Sequence, residues 1–266
     1  MTTNLILQLQ IEKRGWNAMK KVLEKKELSI SKVCGLIFIP TMVLTSCYVA
    51  IGLHWQEIPS IALFYLLAMV VLFPLEIGIV LKASKKEYGK YSLKSAFENH
   101  KKLRKREIIF YGAILFVFAG AMSATITPLE DTLMSPIAEF VKRQTPDYFD
   151  WLNIELTCSY SKGILLLTSI VFLVMNSIVG PIVEELFFRG YLTNRLQRFG
   201  WKSAIIISIL FSLYHLWQPF QNIFRILTFG VVALITYRKK NIYISIAFHC
   251  LCNVWTSINF LMLWWL

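Results

Sequence analysis

Long apolar runs separated by short polar stretches dominate the chain from residue 33 onward. A spanning α-helix needs roughly 20 mostly apolar residues, and shorter runs can contribute to a bundle. Seven such runs are predicted, at residues 33–53, 58–81, 108–126, 163–188, 203–217, 223–237 and 242–265. The pattern therefore predicts an all-α fold, a polytopic membrane helical bundle of about seven spans, with an eighth span or a re-entrant piece as the alternative.

Composition agrees with a membrane protein and changes how the charge is interpreted. Of 266 residues, 56% are hydrophobic and only 17% are charged, whereas soluble domains carry about 25% charged residues. The net charge of +12 would suit nucleic acid, but no nucleic-acid motif accompanies it. Basic and non-basic connections alternate along the chain, so the positive-inside rule predicts a cytoplasmic N-terminus and an outer C-terminus. The predicted location is an integral multi-pass membrane protein, in the plasma membrane if the host is bacterial.

The same pattern divides the chain into four parts. We predict a basic cytoplasmic segment at 1–32, three spans within 33–126, an outer loop at 127–162 and a membrane core at 163–266. A basic cytoplasmic loop at 82–107 interrupts the first three spans and is expected to be solvated and to touch anionic lipid. The five cysteines are scattered, with neither a disulfide framework nor paired metal-ligand spacing.

Two adjacent carboxylates, Glu184 and Glu185, adjoin the fourth apolar run. Intramembrane acids are costly and are therefore candidates for function. Glu185 and Arg189 are spaced i, i+4 and can pair on one helix face. Adjacent helical residues point about 100° apart, so Glu184 then faces elsewhere. The alternative is a salt-bridged helix end at the membrane interface.

Two helix features bear on these glutamates. Pro181, which follows a glycine, is expected to weaken the helix and to free a carbonyl. If the helix stopped at Phe188, Glu184 would lie too shallow to meet residues deep in neighbouring helices. We therefore predict that residues 186–198 are helical and partly embedded, with Arg189 neutralised by Glu185.

Two histidines and an asparagine lie in later apolar runs. His215 ends the fifth run, and His249 shares a helix face with Asn253 in the seventh. Taken singly, each histidine fits a packing role, and His249 and Asn253 can simply bond each other. The functional interpretation is that Glu184, His215, His249 and Asn253 converge from three helices.

Such a set suits the activation of water. A buried glutamate can act as a general base, an imidazole can orient or deprotonate the water, and the other histidine or the asparagine can donate to an oxyanion. Alternatively, Glu184, His215 and His249 can hold a divalent metal such as zinc. The two-histidine zincin spacing, a Gly-x-Ser-x-Gly motif and paired intramembrane aspartates are all absent from the sequence.

Together the motifs resemble a known family. Glu184-Glu185-x-x-x-Arg189-Gly190, then Phe211-x-x-x-His215, then His249-x-x-x-Asn253, in this order, is similar to the CPBP family. That family groups type II CAAX prenyl endopeptidases with bacterial bacteriocin-processing and immunity (Abi) proteins. The resemblance covers residues 163–259.

The resemblance implies a polar intramembrane cavity open to the cytosol and glutamate-dependent peptide hydrolysis. By carry-over, Glu184 is the base, His215, His249 and Asn253 complete the site, and Glu185 and Arg189 support it. Either a metal-free or a metalloprotease mechanism is compatible with it. The implied substrate is a membrane-associated protein or peptide: a prenylated CAAX tail, or a bacteriocin precursor in a bacterial host.

Two other classes of function compete with the protease. One is a non-catalytic bacteriocin immunity protein that acts by sequestration, and the other is a small transporter that uses the glutamates as an ion site. Transport is disfavoured because matching broken helices in repeated halves are not seen. Three further polar residues receive structural interpretations. Glu76 and Arg225 are expected to snorkel to the interface, and Asn176 to pack between helices, with a place in the cavity lining as its alternative.

Overall fold

The computed structural model describes residues 26–265, and within them the chain is helical with connecting turns and no strand. Each predicted apolar run corresponds to one long helix, although the run at 203–217 passes the end of its helix at Tyr214, and this confirms the all-α fold. The long helices are α1 (Ile30–Gly52), α2 (Ser60–Tyr88), α3 (Lys105–Gln144), α4 (Lys162–Phe199), α5 (Lys202–Tyr214), α6 (Asn222–Lys239) and α7 (Tyr243–Trp265).

Fewer helices are long and apolar enough to span a membrane than the sequence pattern predicted. Among residues 26–265, five helices, α1 to α4 and α7, are long and apolar enough to cross a membrane. Helix α5 is apolar but has only 13 residues, and the 18 residues of α6 include three basic side chains. The count of seven spans is therefore not confirmed, and the orientation of the termini stays a prediction.

Helix α3 extends into the segment that was predicted to be an outer loop. The run at 108–126 lies inside a helix that continues to Gln144, so the first half of the segment 127–162 is helical, and Ile154–Cys158 adds a short helix. The polarity of this segment suggested a loop, but its apolar residues still recur at helical spacing. Glu130 also anchors it, because its buried carboxylate accepts hydrogen bonds from the Ile223 and Phe224 amides at the start of α6 (2.7 and 2.8 Å). An acidic side chain at a helix N-terminus is electrostatically favourable.

Helix α4 is central to the fold, and it departs from regular α-helical geometry near the two glutamates. It is π-helical at Met175–Val179 and at Glu185–Leu192, the kind of distortion that is frequent at functional sites. It continues through Arg189 to Phe199, as the prediction for residues 186–198 required. Phe187 and Phe188 on this helix are fully buried, so the segment that follows the glutamates lies in the core.

The basic loop at 82–107 is not simply solvated. Its lysines remain largely at the surface, but two of its three acidic residues, Glu87 and Glu98, turn inward onto Arg195 of α4, which is 1% exposed. Arg195 binds Glu87 at 2.9 Å and Glu98 at 3.1 Å, and Glu98 also pairs with Lys26. The loop interpretation was wrong in this respect because a buried arginine needs compensating carboxylates. Of the predicted segment 1–32, residues 1–25 lie outside the described part of the chain.

Gly190 fixes the close approach of this loop to α4. A Cβ at this position would lie 2.9 Å from both the Cβ and the carbonyl oxygen of Ala96, far inside normal contact. The glycine that ends the Glu-Glu-x-x-x-Arg-Gly motif therefore serves packing of the loop rather than chemistry.

The Glu98 cluster predicts a specific response to acid. Burial raises the pKa of the Glu98 carboxyl, but hydrogen bonds from Lys26 and Tyr88 and the charge of Arg195 outweigh burial and hold the pKa below its usual 4.5. Because the folded-state pKa is depressed, this stabilisation is complete above pH 4.5 and is lost as pH falls through the folded-state pKa. We expect the melting temperature to fall more steeply below pH 4.5 in wild type than in Glu98→Gln. Parallel acid profiles for the two proteins would contradict this assignment.

Candidate active site

A cavity of about 910 Å³ lies at the centre of the helix bundle. Glu184 from α4, His215 at the end of α5, and His249 and Asn253 from α7 all line it. The structure thus brings the four residues singled out in the sequence to one cavity. Glu185 and Arg189 are also buried, and they lie behind the cavity wall that Glu184 forms.

The two adjacent glutamates have different surroundings. Glu185 Oε1 lies 3.2 Å from Arg189 Nη1 and 3.0 Å from His249 Nδ1. Glu184 Oε2 lies 3.8 Å from His249 Nε2, beyond direct hydrogen-bond distance. The predicted pairing of Glu185 with Arg189 is confirmed, and Glu184 is left facing the cavity.

The position of Arg189 explains how a cation is accommodated here. Its guanidinium lies over the ring of Phe211 at 4.1 Å and over that of Phe229 at 5.1 Å. A guanidinium is attracted to the face of an aromatic ring, and more strongly when both are desolvated. The ion pair with Glu185 and these rings together hold Arg189 in an environment where its side chain is 1% exposed.

His249 is oriented by Glu185. A carboxylate accepts only, so its contact with Glu185 places a proton on Nδ1. In the neutral ring the Nε2 lone pair then faces Glu184. Two acceptors 3.8 Å apart can both contact one water at ordinary hydrogen-bond distances, so the pair is arranged to hold a water rather than to bond each other.

His215 follows the last residue of α5 and has left the helical conformation (φ −77°, ψ 64°). Its Nδ1 lies 2.8 Å from the Phe211 carbonyl, which accepts only and so assigns the proton to Nδ1. The Phe211 ring contacts both histidines, with centroid distances of 4.8 Å to His215 and 5.9 Å to His249. The Phe211-x-x-x-His215 spacing therefore orients His215 through one carbonyl and one ring.

Asn253 bonds α4 rather than its helical neighbour His249. Its Nδ2 donates to the Asn176 carbonyl at 2.8 Å. In the π-helical turn that carbonyl would accept from the amide five residues later, which is Pro181 and has no N–H. The expected free carbonyl is thus present, and it orients Asn253. A direct bond between His249 and Asn253 does not occur among the described contacts.

Asn176 combines the two roles that were considered for it. Its Oδ1 accepts from Tyr65 at 2.7 Å and its Nδ2 donates to Ser257 at 2.8 Å, so it packs α4 against α2 and α7. It also lines the cavity. Because its carbonyl holds Asn253, the packing of Asn176 fixes the position of a candidate site residue.

Two snorkelling predictions were wrong. Arg225 is 6% exposed, lines the cavity, and donates to the main-chain carbonyls of Ser212 (3.2 Å) and Gln218. Glu76 is fully buried, and its carboxylate lies beside the Tyr214 hydroxyl. Each side chain lies on the face of its helix that is turned toward the bundle interior, a feature that spacing from the span ends did not reveal.

The proposed metal ligands do not form a ligand group in this structure. Among residues 26–265, no three histidine, cysteine or acidic side chains are close enough together to hold one metal ion. Glu184 and His249 are near each other, while His215 directs Nδ1 to a carbonyl. This donor set does not fit a metal as arranged, and whether a metal is used stays a prediction.

Comparison with protein families gives one match. Residues 166–255, about a third of the chain, match the family model described as Type II CAAX prenyl endopeptidase Rce1-like. The match falls within the segment 163–259 that resembled the CPBP family and contains all six candidate residues, so the resemblance is confirmed. Neither the curated proteins nor the solved structures give a match.

Proposed function

From the match of residues 166–255 to Rce1-like membrane proteases, we propose that the chain is an intramembrane endopeptidase. It hydrolyses a peptide bond in a membrane-associated protein or peptide, with a CAAX-type prenylated C-terminal segment as the leading substrate. The observation that carries the proposal is the convergence of Glu184, His215, His249 and Asn253 on one cavity. Its volume of about 910 Å³ is at the upper end of the 300–1,000 Å³ usual for ligand sites.

Glu184 is the proposed general base. A water held between Glu184 and His249 Nε2 gives a proton to Glu184 as its oxygen attacks the carbonyl carbon of the substrate. The carbonyl π bond opens to a tetrahedral oxyanion. When the C–N bond breaks, the proton passes from Glu184 to the leaving nitrogen, and the products are a carboxylic acid and an amine.

Asn253 is the proposed donor to that oxyanion. Its amide carries two N–H groups. The Asn176 carbonyl accepts from the amide at 2.8 Å, and the other contact, to Asn176 Oδ1, is long at 3.5 Å, so the second N–H is available to an oxyanion. Both histidines have a carbonyl or carboxylate at Nδ1, so in their neutral forms Nε2 is an acceptor and not a donor. His215 is accordingly proposed to accept or relay a proton at Nε2, and the role of oxyanion donor falls to the asparagine.

The asparagine role gives a measurable prediction. We expect Asn253→Ala to lower kcat by about 10²–10³-fold, the usual effect of removing one oxyanion donor, with a much smaller change in KM. Asn259→Ala is a matched control, because Asn259 lies on the same helix and is exposed, donating only to the Trp255 carbonyl. Equal kcat values for the two variants would contradict the assignment.

Metal dependence separates the two water-activation schemes. If Glu184 and His249 act directly on water, chelator treatment of the purified full chain leaves peptide cleavage unchanged. Loss of activity with a chelator, restored by adding back zinc, would instead support the metalloprotease scheme. Elemental analysis of the same preparation provides the independent readout.

A direct test of the function uses the chain reconstituted in vesicles with a prenylated Cys-a-a-X peptide, and the same peptide without the prenyl group as the control. The proposal expects cleavage that depends on wild-type Glu184 and prefers the prenylated peptide. Stoichiometric binding of the peptide without turnover would favour the sequestering immunity protein instead.

A further inference from the structure

A second, smaller cavity of about 190 Å³ lies at the end of the bundle that carries the basic loops. It is separate from the proposed active site, and the two share no lining residue. Its walls come from the loop at 96–100, from α4 beyond the glutamates and from the C-terminal end of α6. The polar residues of these walls include His100, Arg189, Thr236, Lys240 and Asn241.

Three polar side chains that line this cavity have atoms without hydrogen-bond partners among the described residues. They are Arg189 at Nε and Nη2, since its Nη1 is paired with Glu185, His100 at Nδ1 and Thr236 at Oγ1. Arg189 and Thr236 are each 4% exposed. A buried polar group without a partner is energetically costly, so three such side chains around one cavity favour a polar occupant.

The chemistry of the wall selects an anion. Lys240 is a cation, and Arg189, whose charge is shared with Glu185 through Nη1, still offers N–H donors at Nε and Nη2. The Asn241 amide contact at 3.4 Å assigns His100 Nε2 as an acceptor, which leaves its Nδ1 as a donor. No aspartate or glutamate lines the cavity. Two main-chain carbonyls at the end of α6 are not free acceptors that would repel an anion. The Tyr237 carbonyl accepts from the Lys240 amide, and the Thr236 carbonyl accepts from the Asn241 amide.

We propose that this cavity binds a phosphate group through Arg189, His100, Thr236 and Lys240. Arginine and lysine donors around a tetrahedral oxyanion give charge-assisted hydrogen bonds. The volume of about 190 Å³ is well above the roughly 30 Å³ of one water, which leaves space for such a group. The phosphate can belong to a lipid headgroup or be free in solution, and the two sources present the same oxygens. The site does not depend on the proposed peptidase activity.

Thermal unfolding of the full chain tests the site, with inorganic phosphate as the probe at constant ionic strength and chloride as the reference anion. We expect phosphate to raise the melting temperature in a saturable manner. Lys240→Gln and Thr236→Val should each weaken the apparent affinity on the order of tenfold, as expected for the loss of one strong hydrogen bond. Lys239→Gln is the matched control, because Lys239 is the neighbouring exposed lysine and does not line the cavity.

A second arm uses nanodiscs of phosphatidylcholine with and without phosphatidic acid. Stabilisation by inorganic phosphate that the site variants lose assigns a free phosphate. Stabilisation only by phosphatidic acid, again lost in Lys240→Gln and kept in Lys239→Gln, assigns a lipid headgroup. An equal response of all variants, or no response to either probe, overturns the proposal and leaves water as the occupant.

Discussion

Glu184→Gln is expected to lower peptide cleavage by about 10²–10⁴-fold, the usual contribution of a general base. The amide has nearly the same shape as the carboxyl but cannot take a proton from water. Glu184 is not the partner of Arg189 in the structure, so the substitution leaves the buried ion pair in place. The melting temperature should therefore change little, and the loss should appear in kcat under saturating substrate.

The control for Glu184→Gln is the same substitution at the neighbouring residue, Glu185. Glu185→Gln keeps the Glu184 carboxyl in the cavity and retains an oxygen for His249, while it removes a negative charge beside Arg189. Its main effect is expected in stability, with a smaller loss of activity through the orientation of His249. An activity loss confined to Glu185→Gln, with Glu184→Gln fully active, would reverse the two assigned roles.

Glu185→Ala is expected to destabilise the fold by about 3–5 kcal/mol, because removing one partner of a buried ion pair leaves the other charge uncompensated. Glu185 and Arg189 have side chains that are 0% and 1% exposed and 3.2 Å apart. Thermal or denaturant unfolding of the full chain in detergent measures this loss. Glu139→Ala serves as the surface control, since its pair with Arg143 is exposed on both sides and such pairs contribute little.

The double variant Glu185→Leu with Arg189→Leu tests whether an unpaired charge or lost packing causes the destabilisation of Glu185→Ala. If the loss in Glu185→Ala comes from the unpaired charge, the double variant should be more stable than the single one, since apolar replacement of a whole buried pair is often neutral. A double variant that is less stable than Glu185→Ala would show that packing around Arg189, including the Phe211 and Phe229 rings, matters more than charge.

Much of the fold follows from apolar periodicity. Runs such as 33–53 and 242–265 map closely onto α1 and α7 because a continuous apolar stretch has few alternatives to a helix. Helix α3 ends 18 residues later than the run at 108–126 suggested. Its second half is stabilised by a tertiary contact, Glu130 on the start of α6, which local sequence does not contain.

The candidate site was predictable because its residues are polar exceptions in apolar helices. Their spacing also indicated that Glu185 would pair with Arg189, and this is what the structure contains. What the spacing did not indicate is which partner each side chain finds on another helix. Asn253 bonds the Asn176 carbonyl and His249 bonds Glu185, and both contacts depend on the π-helical turns of α4, which shift side chains relative to an ideal helix.

Arg225, Glu76 and the loop at 82–107 show where prediction from the sequence pattern failed. Their distance from the span ends suggested that they reach the interface or solvent. Burial instead depends on which face of the helix meets the bundle, and that is set by packing between helices. For the loop, the deciding partner is Arg195, about 100 residues later in the chain, which draws Glu87 and Glu98 inward.

The most direct test of the account is mass spectrometry of a lipid-anchored peptide incubated in H₂¹⁸O with the reconstituted protein under single-turnover conditions. Wild type is predicted to yield two fragments, and the one that carries the new carboxyl group should contain ¹⁸O. Glu184→Gln should leave the peptide intact over the same period. Fragments formed at the same rate by both proteins would contradict the role of Glu184, and a peptide left intact by wild type would contradict hydrolysis of this substrate.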